Sequence, residues 1–369
     1  METGPRKYRG QAVYMFAFDI AYEMGREPVQ EILGQKVEHF KVDASKRSPK
    51  HPFFFRPQMV RLPLSKRMGP DGPIAMEQVV KLLPIGAVSI TIRLPFEVDR
   101  LEDLVDLHDL QLGDRPLHAE VRELAERIYI ELRPHVVRPV EYLAEEEAYT
   151  VFCLESATVL EAEDARAEDW LQSHRRELAA VLTQEPDVGK LSNQEATEST
   201  SRYLSYYQND LLVIDWDAAV MIDEPKDFAE VLYVIELANI HLAELEAYDR
   251  LLDRALDRSY RDVRGRAHRK RKEILVELRE IRIDLARYSD ELSNITKFFG
   301  DWHLARVYEM IAARFHLADW HRIVDEKLRT LDNLYQILQH DQSNRWMLTL
   351  EITIVLLFII DLIILFAGK

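Results

Sequence analysis

The chain holds one cysteine, Cys153, and twelve glycines in 369 residues. A single thiol forms no internal disulfide and supplies no cysteine-based zinc or iron–sulfur site, and its isolation fits a reducing compartment. So few glycines leave little room for phosphate-cradling loops, and no GxxxxGK, GxGxxG or GxSxG motif occurs. HExxH is missing as well. Positive charge is outnumbered, with 48 Lys and Arg against 64 Asp and Glu for a formal net charge of -16. That balance disfavours whole-surface affinity for nucleic acid or anionic lipid. Met1 to Lys7 show neither an apolar h-region nor an Arg- and Ser-rich presequence, so no N-terminal address is expected.

What is present describes a folded protein, with 47% hydrophobic and 30% charged residues. Gln11–Met24, Gly86–Phe96, Ala148–Glu155 and Asp210–Asp223 are rich in β-branched and aromatic residues between turn signals, and are predicted strands. Arg100–Leu110, Leu117–Arg133 and Arg166–Gln184 carry apolar residues at 3-4 spacing and are predicted helices. Residues 37–84, dense in Pro, Lys and Arg, have no assignment beyond irregular strand or loop. The expectation for residues 1–223 is an α+β domain with a small, mainly antiparallel sheet and flanking helices.

From Pro225 onward the pattern is helical. Val231, Ile235, Ala238, Leu242, Leu245, Leu252 and Leu256 mark one long stripe, and Ile274, Leu278, Ile281, Leu285, Tyr288, Leu292 and Ile295 keep heptad spacing. The two predict an antiparallel, coiled-coil-like hairpin within a helical region at 224–345. Further helices fit Trp302–Phe315 and Leu317–His340, with a break around His316.

Residues 346–367 are almost entirely apolar, long enough at ~1.5 Å per residue to cross a ~30 Å hydrocarbon core. They predict a single C-terminal transmembrane helix, a tail anchor holding the bulk of the chain on the cytoplasmic side of the inner membrane, or in the matrix of an organelle. Only Asp341–Arg345 separates this segment from the preceding helix, which predicts one continuous rod. Glu351, Ile354, Phe358, Asp361 and Leu365 follow 3-4-3-4 spacing and form an expected self-association seam in the membrane. The alternatives are that Glu351 merely reaches the interface with Asp361 protonated, or that the two acids serve ion conduction.

Eight positive charges fall in fifteen residues: Arg258, Arg261, Arg264, Arg266, Arg269, Lys270, Arg271 and Lys272. They fit either a salt-sensitive contact with RNA phosphates or acidic headgroups, or a solvated helical tip paired with Asp257, Asp262 and Glu273. His241 with Glu244, and His303, His316 and His321 near Asp301 and Asp319, lack the paired set of a di-metal bundle and read as core or exposed histidines. Asp215, Asp217 and Asp223 allow a divalent cation but fit strand-edge and cap roles better. Trp302 and Trp320 read as core anchors. No cofactor, metal site, catalytic residue or small-molecule substrate is expected.

The run Asp210-Leu-Leu-Val-Ile-Asp-Trp-Asp-Ala-Ala-Val-Met-Ile-Asp223 precedes Ile235-Glu236-Leu-Ala238-Asn239, Leu242, Glu244-Leu245 and Tyr248-Asp249. Lys327-Leu328, Leu331, Tyr335 and Glu351 follow. In that order, over roughly residues 205–365, the chain resembles the required-for-meiotic-nuclear-division (YagE-like) membrane family, as a bacterial or archaeal-type member. The resemblance implies a homo-oligomeric inner-membrane protein, which in mitochondria holds ribosomes at the membrane. A more distant similarity is to bacterial magnesium channels, although this chain lacks their second span and Gly-Met-Asn filter. The expectation is therefore a non-enzymatic, tail-anchored scaffold that homo-oligomerises and tethers a ribosome or RNA. An oligomeric cation-handling membrane protein and a metal-dependent hydrolase are the alternatives.

Overall fold

Apolar side chains occupy both parities of the strand Tyr8–Asp19 (β1), so that every residue from Ala12 to Phe18 is buried. A strand covered on both faces belongs at the centre of a sheet, and β1 is found there in a computed structural model of the chain. The structure describes residues 7–39, 57–69, 72–160, 165–264, 276, 279–280, 282–283 and 302–367. These divide into two compact units, Met1–Ala247 with Asp290–Asp319, and Tyr248–Ser289 with Trp320–Lys369.

The first unit is built on a nine-stranded mixed sheet. After β1, its strands are Glu38–His39 (β2), Gln58–Gly69 (β3), Gly72–Leu82 (β4), Ala87–Val98 (β5), Glu147–Glu155 (β6), Tyr203–Leu204 (β7), Leu211–Ile214 (β8) and Ala218–Asp223 (β9). Their spatial order is β7-β8-β9-β6-β1-β5-β4-β3-β2. Neighbours are antiparallel except β6 and β9, which run parallel from Thr150↔Ala218 to Glu155↔Asp223. The small sheet expected from the sequence is thus corrected to a large, nine-stranded mixed one, in which all pairings but one are antiparallel. The additional strands β3 and β4 come from the Pro-, Lys- and Arg-dense stretch. There β3 is solvent-exposed at Arg61, Pro63, Leu64, Lys66 and Arg67 and shifts register between Leu62 and Ser65, which erases the two-residue apolar period.

Two glycines hold the centre of the sheet together. A Cβ on Gly10 would lie 1.9 Å from the Cys153 carbonyl oxygen, so β1 and β6 approach only without a side chain there. Gly86 closes the β4–β5 turn at φ +91, with a virtual Cβ 1.9 Å from the Ala21 carbonyl oxygen.

The even-numbered face of β1 (Ala12, Tyr14, Phe16, Phe18) forms the main core. Leu117–Leu132 (α1) contributes Leu117, Val121, Leu124, Ile128 and Leu132 at 3-4 spacing. The predicted helix Arg166–Gln184 is two helices, Ala167–Ser173 (α2) and Arg175–Thr183 (α3), joined at His174, and Asn193–Ser199 (α4) follows. On the other face of the sheet lies the first part of Phe228–Arg264 (α5), whose Leu237, Ile240 and Ala243 pack on Ala17, Leu83 and Ala87. Trp302–Arg314 (α6) completes the unit, and the helix ends before His316, a non-glycine residue at φ +52.

In the second unit the continuation of α5 packs on Leu317–Ala367 (α7) through Leu252 and Ala255 against Val324, Leu328 and Leu331. Lys327 Nζ reaches Asp249 and Asp253, each at 2.6 Å, beside this seam. The expected heptad helix from Ile274 to Ile295 falls almost wholly outside the described residues.

The transmembrane helix expected at 346–367 is corrected. The segment is the distal part of α7, a 51-residue helix whose first half is charged, and the exposed Glu351 lies inside its apolar run. Among the described residues no helix is long and apolar enough to cross a membrane. The single-pass tail anchor and the inner-membrane location inferred from it fall with that finding: the predicted continuous rod is α7, and its apolar run is interrupted by the exposed Glu351.

Candidate functional site

Strand alternation places Lys81, Ser89 and Thr91 on the face opposite the main core, where α5 lies. Lys81 and Ser89 are direct cross-strand neighbours, and Thr91 sits opposite Val79. Into this polar spot α5 inserts Glu236, only 2% exposed. Its carboxylate pairs with the Lys81 ammonium and accepts from Ser89 Oγ at 2.6 Å and Thr91 Oγ1 at 3.2 Å. Tyr233, about one turn earlier, places its ring 5.3 Å from Lys81 Nζ. Burial pulls the Lys81 pKa below the ordinary lysine value, and the Glu236 charge and hydrogen bond work against that pull. The sum is a closed ion pair in which the carboxylate has three donors.

The polar row continues along α5. Asn239 Nδ2 donates to the Glu147 carbonyl at 3.0 Å. His241 Nδ1 shares a 2.8 Å hydrogen bond with the Tyr308 hydroxyl of α6, and burial pushes the imidazole down to about 3, so it is neutral at physiological pH. Glu244 is 4% exposed. Burial, reinforced by the charge of Asp19, raises its carboxyl well above the usual range. His241 is thus hydrogen-bonded to a tyrosine across two helices. Among the described residues no three His, Cys, Asp or Glu side chains are arranged to hold a metal ion.

A second buried pair joins α6 to the β8–β9 turn. Arg314 binds Asp215, lies 5.2 Å over the Trp216 ring and is 4.0 Å from Glu198. The Asp215 carbonyl accepts from Tyr149 Oη at 2.9 Å, and its carboxylate accepts from the Trp216 amide at 2.9 Å. The three aspartates considered for cation binding are not brought together: Asp217 lies in the exposed turn before β9 and Asp223 at the far end of that strand, about 20 Å away at the rise of a strand. Asp223 rises to about 6, first through burial and then through the charges of Asp210, Asp227 and Glu224. Trp302, read from sequence as a core anchor, is 57% exposed.

Of the predicted seam, Glu351, Ile354 and Phe358 are exposed on α7, at 50% for Ile354 and 71% for Phe358. Asp361 and Leu365 belong to the same helix, but their side chains lie outside the described residues. Ile354, Val355, Phe358, Ile359 and Ile363 outline a shallow apolar concavity. Of the basic cluster, Arg261 and Arg264 belong to the last turns of α5, while Arg266, Arg269, Lys270, Arg271 and Lys272 lie outside the described residues.

Sequence reasoning passed over Lys81, Ser89, Thr91 and Arg314. A signal existed for the first: Lys81 is a lone charge in Val79-Val80-Lys81-Leu82-Leu83, and Glu236 is a lone charge in Val234-Ile235-Glu236-Leu237-Ala238. An isolated charge of each sign in an apolar run implies a buried partner.

Residues 9–229, from β1 to the start of α5, match the family described as uncharacterized protein MJ0711, N-terminal domain. The uncharacterized protein MJ0711 of Methanocaldococcus jannaschii is 25% identical over 248 residues, covering 66% of this chain and 73% of the relative. With more than half its length matched, from the central strand through the whole nine-stranded sheet, the chain belongs to the MJ0711 N-terminal domain family.

Proposed function

We propose that the protein is a non-enzymatic scaffold that self-associates through the distal half of α7. The observation that carries this reading is the exposure of that helix: among the described residues from Met347 to Ile364, the large apolar side chains are exposed, between 43% at Ile360 and 71% at Phe358. The run extends for about 27 Å at the rise of an α-helix. Each Ile, Leu or Phe moved from water into an interface contributes about 1.5–3 kcal/mol, which favours covering this helix. The 3-4 spacing of Glu351, Ile354 and Phe358, continued in sequence by Asp361 and Leu365, suits a left-handed pairing of identical helices.

The non-enzymatic part of the proposal is supported by the use to which the reactive groups are put. Lys81 is committed to Glu236, Arg314 to Asp215 and His241 to Tyr308, while Asp217 and Asp223 stand apart.

The sequence supplies a direct test. Cys153 is fully buried, so Ile354→Cys introduces an accessible thiol without removing another. A short bis-maleimide should link Ile354→Cys chains into dimers at micromolar protein and leave the parent chain monomeric on a denaturing gel. Equal, low yields from Ile354→Cys and from a thiol at the exposed Leu64 of β3 would sink the proposal.

A further inference from the structure

Three acidic side chains are buried among the described residues: Asp215, Glu236 and Glu244. Arg314 pairs with the first and Lys81 with the second. Glu244 is only 4% exposed, and its Oε1 is cut off from water with no hydrogen-bond partner among the described residues. An ionised carboxylate without a cation or a donor is among the costliest groups to bury.

Helical spacing puts Glu244 on the face of α5 that carries Leu237 and Ile240. That face packs on Ala17 of β1, on Leu83 just after β4 and on Ala87 of β5, none of which bears a charge. Asp19, the cross-strand neighbour of Ala87, lies two residues beyond Ala17 on the same side of β1. Its negative charge acts on Glu244 in the same direction as burial, which is the larger of the two effects, and both favour the neutral acid. His241, about one turn earlier on α5, offers no cation: it is itself held neutral and is bonded to Tyr308 of α6.

Glu244 belongs to the last turn of α5 within the first unit, which passes to the second after Ala247. We propose that Glu244 is a proton-controlled latch: while it holds its proton this turn of α5 lies on β1, and release of the proton to water loosens the turn from the sheet. A glutamate in the unfolded chain gives up its proton at lower pH than Glu244 does in the fold. The latch therefore contributes fully below the ordinary glutamate value, and its contribution is lost as pH rises toward the value in the fold. This device is independent of self-association through α7.

The test is amide hydrogen exchange of the full chain from pH 6.5 to 9, read by mass spectrometry on peptides from residues 237–247 as protection relative to the unfolded chain. Protection in the parent should fall with rising pH, by up to about tenfold per unit. In Glu244→Gln, which keeps the shape of the neutral acid, it should stay level. Other groups do not mimic this result: Asp223, at about 6, is past its own window. Lys81, pulled below the ordinary lysine value, strengthens the fold as pH rises. A decline that persists in Glu244→Gln would overturn the proposal, as would level protection in the parent. Infrared difference spectra of the parent need no stable variant: the carbonyl stretch of a protonated carboxyl should disappear between pH 6.5 and 9, where ordinary carboxyls are already ionised. Absence of that band at pH 6.5 would overturn the proposal equally.

Discussion

Replacing Lys81 with methionine should be among the most damaging single changes available in the first unit. The substitution keeps the volume and the apolar stem but leaves Glu236 without its cation, with a side chain only 3% exposed. Two neutral hydroxyls, Ser89 and Thr91, are then its remaining support. Removing one partner of a buried pair costs about 3–5 kcal/mol, because the other charge stays desolvated and uncompensated. For a domain of this size that corresponds to a drop of roughly 6–20 °C in the unfolding midpoint. The double variant Lys81→Met, Glu236→Leu should recover most of the loss, since an apolar pair of similar volume is often neutral or better, and only the two hydroxyls are left without their acceptor. Urea denaturation of parent, both single variants and the double variant gives the coupling energy, expected to exceed about 2 kcal/mol. A cost below about 1 kcal/mol for Lys81→Met, or strict additivity in the double variant, would refute the reasoning.

Three other outcomes follow from the same physics. The His241 pKa is depressed to about 3, so between pH 6.5 and 3 the unfolded chain binds a proton that the folded one refuses. Stability is therefore lost as pH falls through that window, by about 1.4 kcal/mol per unit, and His241→Gln should flatten the slope by that amount in denaturation series at pH 6.5, 5.5 and 4.5. Gly86→Ala forces a side chain into the Ala21 carbonyl at positive φ and should cost more than about 2 kcal/mol by the same assay, whereas alanine at the open Gly113 turn should cost less. Glu351→Leu removes an acid from the seam of α7 and should tighten self-association at least tenfold by sedimentation equilibrium, with a weaker complex counting against that seam.

Strands buried on both faces announced themselves in the sequence. The predicted strands Gln11–Met24, Gly86–Phe96 and Ala148–Glu155 overlap β1, β5 and β6, and the predicted break at His316 coincides with its left-handed backbone. The stretch Asp210–Asp223 was read as one strand, yet it is the hairpin of β8 and β9, turning at Asp215–Asp217. Sequence-local signals end where partners are distant. The exposed charges of β3 hide its alternation, and the parallel pairing of β6 with β9 depends on chain segments some sixty residues apart. The apolar tail was misread although its continuity with the preceding helix and the place of Glu351 were both legible, because the apolar residue count was weighed above them. The site was legible only as oddities, a lysine among valines and leucines and a glutamate in an apolar turn, because neither residue names its partner 155 positions away.

Self-association through α7 is tested most directly by the molar mass of the full chain in solution, measured by multi-angle light scattering beside Ile354→Glu/Phe358→Glu. The account predicts an integral multiple of 43.2 kDa for the parent and a shift toward the monomer for the double variant. A monodisperse monomer for the parent at tens of micromolar, or a mass unmoved by the two substitutions, would contradict it.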